Sequence, residues 1–209
     1  DSGIRHLLYF FRSFCVEKGH LLDESELFGY ARRSQERRHM NLEWYIRRLL
    51  AGCESVAALI SDLDIATWCW RPVPGAWSIL EIVNHMADEE VEDFRIRLRL
   101  TLTDPVVSWP GIDPPSWVEQ RGYRDRDPRE SLDRFRAARA ESLAWLSSLE
   151  DPDWVRTYEH QKLGSITAAD LLTSWHAHDL LHLRQIARRL FEYAAAESGG
   201  GSPDYAGPW

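Results

Sequence analysis

Apolar residues recur at helical spacing in four stretches of the chain, and no stretch alternates in the way a confident strand would. Leu49, Cys53, Val56, Ile60 and Leu63 step by three or four residues, which predicts a first helix from Asn41 to about Leu63 with one buried face. Ser78-x-x-Glu81 is a capping-box pattern, and the arc Ile79, Ile82, Val83 and Met86 behind it predicts a second helix reaching about Leu102. Asp127-Pro128 supplies a cap and a first-turn proline for a third helix, with Leu132, Phe135, Arg139, Leu143 and Leu146 as its inner stripe. In that stripe Arg139 is expected to snorkel, its stem buried and its charge outside. Thr167, with Asp170 three residues on, opens a fourth helix that runs to about Ala196.

The connections suggest how these helices are arranged. Asp64–Trp77 carries Pro72, Pro74 and Gly75 and reads as a loop, and so does Asp153–Ile166. The longest connection, Asp104–Asp127, holds Pro105, Pro110, Pro114 and Pro115 and separates helices two and three. An all-α four-helix bundle with one long crossover between helices two and three is the simplest architecture. Residues 40–196 form that domain in this reading, and 197–209, with its Gly-Gly-Gly run, is a flexible tail. Residues 1–39, with the cluster Arg32, Arg33, Arg37 and Arg38, read as an extension outside the core, Met40 being the expected native start.

Charge and composition narrow the function classes. Twenty-five basic residues against 33 acidic ones leave a formal charge of −8, which argues against a nucleic-acid-binding surface. No apolar run reaches the ~20 residues of a bilayer span, so no membrane role is expected. Cys15, Cys53 and Cys69 form no C-x-x-C pair and read as reduced thiols of a cytoplasmic protein. The ten tryptophans exceed what a bundle needs; packing in the core accounts for most of them, and in an enzyme those of the crossover, Trp109 and Trp117, would roof the pocket.

Candidate chemistry lies among eight histidines. His178 and His182 are four apart on the predicted fourth helix, about 40° around its axis, so both imidazoles can reach one ion. His85 lies at the margin of the apolar arc of helix two. Three neutral imidazoles from two helices would suit a divalent ion such as zinc, nickel or iron. Histidines at the edge of an apolar face are equally at home as hydrogen-bonded core residues, so spacing alone leaves both roles open. His176 points about 160° away from His178 and cannot share its ligand. His160 falls in a loop, and nothing in the sequence draws it to the site. Glu89 lies one turn beyond His85, where it could orient an imidazole or take a proton. Within the run Asp88-Glu89-Glu90-x-Glu92-Asp93, however, a surface carboxylate is the expected reading. Asp179 is expected to face solvent or to be capped by a neighbouring arginine.

The stretch from Trp77-Ser78 to His85 resembles the start of helix two in the DinB-like superfamily. His178-Asp-Leu-Leu-His182-Leu-Arg-Gln185-Ile186 resembles that superfamily's H-x-x-x-H motif and the Gln-Ile that follows it. The order of the histidines and the long second connection agree as well, over roughly Asn41–Ala196. The resemblance implies a four-helix bundle in which His85, His178 and His182 hold a divalent metal with open positions for water, and it assigns no general base. Similar proteins include thiol S-transferases using bacillithiol or mycothiol, maleylpyruvate isomerases and many of unknown activity, so the reaction stays open. Two readings follow. One is a metal-dependent transferase or hydrolase that activates a low-molecular-weight thiol or water against a small-molecule substrate. The other is a non-catalytic, metal-stabilised binding module; either could form a homodimer.

Overall fold

The computed structural model describes residues 40–207, so the expectations placed on 1–39 lie outside the described residues. Helix α1, Leu42–Ile60, is capped by Asn41, whose Oδ1 accepts from Trp44 N at 2.9 Å. It stops at Ile60 rather than Leu63 because Asp64 starts a new turn: its Oδ1 accepts from Thr67 N at 2.8 Å and caps the short helix α2, Ile65–Cys69. The segment from Asp64, predicted as a loop, is thus helical at its start. Pro72 and Pro74 lie beyond the last turn and end α2 without preventing it.

Helix α3, Ile79–Glu89, begins with the predicted capping box. Ser78 N donates to Glu81 Oε2 at 2.8 Å, and Glu81 N donates to Ser78 Oγ at 3.3 Å. Arg71 Nη2 and Arg124 Nε reach the same buried carboxylate at 2.9 and 3.1 Å, so the cap also ties two loops to the helix. Ser78→Ala is expected to cost about 1 kcal/mol, read as a lower urea midpoint at unchanged slope.

The chain then widens into a π turn, Glu90–Arg95, and continues as α4, Ile96–Thr103. The crossover is less irregular than its prolines imply: Pro114 opens α5, Pro114–Gln120, and Gly122, at φ +57°, leads into a 3-10 turn over Tyr123–Asp125. Asp127 caps α6, Pro128–Ser147, by accepting from Arg129 N and Glu130 N.

The segment Asp153–Ile166, expected to be a loop, carries a small hairpin beside the bundle. Thr157–His160 and Gly164–Thr167 pair as an antiparallel hairpin, β1 and β2, with Thr157 opposite Thr167 and His160 opposite Gly164. These strands are four residues each and lack a clean apolar alternation, so no period announced them. Gly164 at φ +77° and the His160 ring, whose Nδ1 accepts from Lys162 N and Leu163 N, close the turn. Thr167 ends β2 and caps α7, Ala168–Ala196, forming the predicted box with Asp170.

The bundle therefore consists of α1, the α3–π–α4 rod, α6 and α7. Its apolar interior falls into two clusters. One gathers Val56, Ile60, Ile79, Ile82, Phe135 and Ile186; the other gathers Leu49, Leu98, Leu146, Leu172 and Trp175. Arg139 adjoins both, its guanidinium 5.3 Å from the Phe135 ring and its Nη1 2.7 Å from Leu49 O. It does not snorkel: Arg139 is 1% exposed and pairs with Glu90 and Asp179, themselves 2% and 3% exposed. Of the two expectations for Asp179, the arginine cap holds and the solvent-facing one fails. No helix among the described residues is long and apolar enough to cross a membrane.

Candidate metal centre

His85 comes from α3, and His178 and His182 come from α7, one turn apart. The fold brings the three together. His85 Nε2 lies 3.1 Å from His182 Nε2, which lies 2.9 Å from His178 Nε2. Two nitrogens sharing one ion at zinc–nitrogen distances stand roughly 3 Å apart, so these spacings suit a common ligand. All three offer ligand atoms within 4.8 Å of one another. His160 and His176 stay elsewhere, the first against Trp109 at 5.9 Å and the second edge-on to Trp44 at 5.3 Å.

Burial sets the charge state. Loss of water pushes His85 down to about 3 and His178 to about 4, and it holds His182 well below the usual imidazole range, each being further lowered by a neighbouring cation or imidazole. The rings are therefore neutral at physiological pH and keep lone pairs for a metal. Gln185 fixes one tautomer: its Oε1 accepts from His182 Nδ1 at 2.8 Å, which leaves Nε2 bare and aimed at the other two rings. His85 Nδ1 has no partner among the described residues. His178 remains 20% exposed along its side chain, so the cluster reaches the surface on that side.

Glu89 overturns its expected placement. It is buried, with Oε2 2.8 Å from His178 Nε2 and 3.6 Å from His85 Nε2, and burial raises its pKa against the pull of His85 and Arg97. One turn further, Asp93 pairs with Arg97 Nη1 at 2.7 Å and is pushed up to about 7, chiefly by burial. A run of five acidic residues in six positions reads as a solvated face, and only the elements packed against it bury Asp88, Glu89 and Glu90.

The rings over the site also differ from expectation. Trp77 lies 4.9 Å from His85, and Phe94 lies 4.9 Å from His178. Trp109 instead stacks on Tyr158 at 4.0 Å, and Trp117 packs with Val118 and Tyr123. In an unbroken α-helix Phe94, nine residues beyond His85, would face about 180° away. The wider π turn removes much of that rotation and carries Phe94 round to His178. A separate groove of about 400 Å³ between α1 and α6, lined by Leu50, Cys53, Ala57 and Leu143, contains none of the histidines.

The sequence model of the DinB superfamily matches residues 49–186, a span that contains all three histidines. The chain belongs to the DinB superfamily. Among superfamily relatives, the Bacillus subtilis (strain 168) protein named "Putative metal-dependent hydrolase YfiT" is 27% identical over 120 residues, 56% of this chain and 67% of that protein. The solved structure of YfiT from Bacillus subtilis, described as a probable metal-dependent hydrolase with an unusual four-helix bundle topology, superposes with a TM-score of 0.60 at 22% identity. That superposition covers 74% of this chain and 91% of that one, and it shows the shared four-helix bundle. A second solved four-helix bundle protein, TT2238, gives a TM-score of 0.47 at 21% identity over 71% of this chain and 99% of that one.

Proposed function

We propose that this DinB-superfamily chain is a metal-dependent hydrolase or transferase in which His85, His178 and His182 hold a divalent ion. The observation that carries the reading is the convergence of three neutral Nε2 atoms beside a buried carboxylate, with Glu89 Oε2 2.8 Å from His178 Nε2. The donor set fits a borderline ion such as zinc, nickel or iron. A divalent ion with three protein ligands supplies Lewis acidity and lowers the pKa of a coordinated water or thiol.

The chain's own residues do the rest. Gln185 keeps His182 in the donor tautomer. Glu89 takes the proton from the incoming water or low-molecular-weight thiol at Oε2. Its raised pKa places it closer to the working range of a base than an exposed carboxylate. Trp77 and Phe94 limit water around the rings and present apolar faces to a small electrophile.

The test is turnover by the metal-loaded protein, using several small thiols and water against chlorodinitrobenzene-type and maleyl-type electrophiles and simple esters and amides. Rates no better than those of His182→Ala would overturn the enzymatic reading in favour of a metal-stabilised binding module. Glu89→Gln keeps the size of the side chain and removes its proton-accepting charge. It should retain metal while kcat falls by about 100-fold or more, as measured by initial rates beside metal content.

A further inference from the structure

The buried Arg139 makes a full set of hydrogen bonds. Its guanidinium carries five N–H donors, and all five are engaged. Nε donates to Glu90 Oε1 at 2.8 Å, and Nη2 to Glu90 Oε2 at 2.7 Å and Asp179 Oδ1 at 2.9 Å. Nη1 donates to Asp179 Oδ2 at 2.6 Å and to Leu49 O at 2.7 Å. Trp175 Nε1 adds a further bond to Glu90 Oε2 at 2.9 Å. One side chain on α6 thus grips α1, the π turn and α7, with every bond away from water.

Its two carboxylate partners are the immediate neighbours of site residues. Glu90 follows Glu89, and Asp179 follows His178. Consecutive Cα atoms stand about 3.8 Å apart, so whatever fixes Glu90 and Asp179 also fixes the backbone that carries Glu89 and His178. The Glu89–His178 contact of 2.8 Å closes a circuit that runs from Glu89 to Glu90, through Arg139 to Asp179, and back to His178. A buried ion pair is a weak source of stability compared with apolar packing of the same volume, whereas its geometry admits few arrangements. The planar fork of arginine supplies that restriction, and a lysine would not.

We propose that Arg139 is a positioning residue for the metal centre, and that its grip on Glu90 and Asp179 sets where Glu89 and His178 stand. The proposal rests on the metal-binding reading above. Gly52 supports it from the opposite side. A Cβ at that position of α1 would come within 3.0 Å of Asp179 Oδ2. The glycine inside an otherwise regular helix therefore makes room for the clamped carboxylate.

Two folded variants separate position from charge. Arg139→Lys keeps the positive charge and loses the fork; Gly52→Ala keeps every charged group and crowds Asp179. Each is titrated with cobalt(II) against a competing chelator, with the ligand-field spectrum recorded and far-UV circular dichroism as the fold control. Arg139→Lys should weaken cobalt binding by about 10- to 100-fold and change the spectrum. Gly52→Ala should shift both in the same direction by less. If Arg139→Lys fails to fold, Gly52→Ala decides alone. Folded variants with the parent's affinity and spectrum overturn the clamp while leaving the metal site intact. A parent chain that binds no cobalt overturns the metal-binding reading and the clamp's role with it.

Discussion

Arg139→Ala destabilises the bundle by about 3–5 kcal/mol, more than any surface substitution would. Truncation leaves the Glu90 and Asp179 carboxylates buried with no cation between them, and it removes the bond to Leu49 O. At about 2–4 °C per kcal/mol for a domain of this size, the melting temperature falls by roughly 10 °C. The origin of the loss is checked by removing the charges together. Arg139→Met combined with Glu90→Gln and Asp179→Asn should recover much of the stability, because the cost lies in uncompensated charge rather than in lost volume. A triple variant as unstable as Arg139→Ala would place the cost in packing instead. Calorimetry on the three proteins decides.

The second large effect concerns the histidines. The purified parent is expected to carry about one equivalent of a divalent metal, and the His85→Ala, His178→Ala, His182→Ala variant none, by mass-spectrometric metal analysis. Metal at 100 times its Kd adds about 2.7 kcal/mol of stability, so a chelator should lower the parent's melting temperature and leave the variant's unchanged. Acid behaves in a related way. In the metal-free parent the three rings are held neutral by burial, with His85 near 3 and His178 near 4. Below about pH 6.5 the unfolded chain takes up protons that the folded chain refuses. Stability is therefore fully present above that pH and lost as pH falls towards 4, by up to about 1.4 kcal/mol per pH unit for each ring. The triple variant should show a flatter acid limb in urea titrations at pH 7, 6 and 5.

The caps were the most legible part of the chain, because they are local. Ser78 with Glu81, Asp127 before Pro128 and Thr167 with Asp170 each satisfy backbone donors within one turn, and each stands where its spacing put it. The three histidines were legible for the same reason, since helical period fixes their angle and the family resemblance supplies their company. What periodicity does not encode is the element that covers a face. Glu89 and Arg139 are ordinary surface types, and only the elements packed over them, α7 over the first and α1, the π turn and α7 over the second, bury one beside the histidines and pair the other with Glu90 and Asp179. The hairpin Thr157–Thr167 escaped because four-residue strands carry too few positions to show a period. Phe94 escaped because a π turn breaks the count on which any helical wheel depends.

That turn bears on which changes of length the chain tolerates. Deleting one residue anywhere within Glu90–Arg95 would let the rod run as regular α-helix, and local hydrogen bonding would improve. Everything downstream would keep nearly its present orientation relative to His85, because the wide turn already takes up the roughly 100° that one extra residue adds to an α-helix. Phe94 would stay near His178, and Arg97 near Pro110 O, which it now reaches at 3.2 Å. A one-residue gap here would be easier for the protein to absorb than the same gap in the regular helix on either side, where it would swing everything beyond it by about 100°.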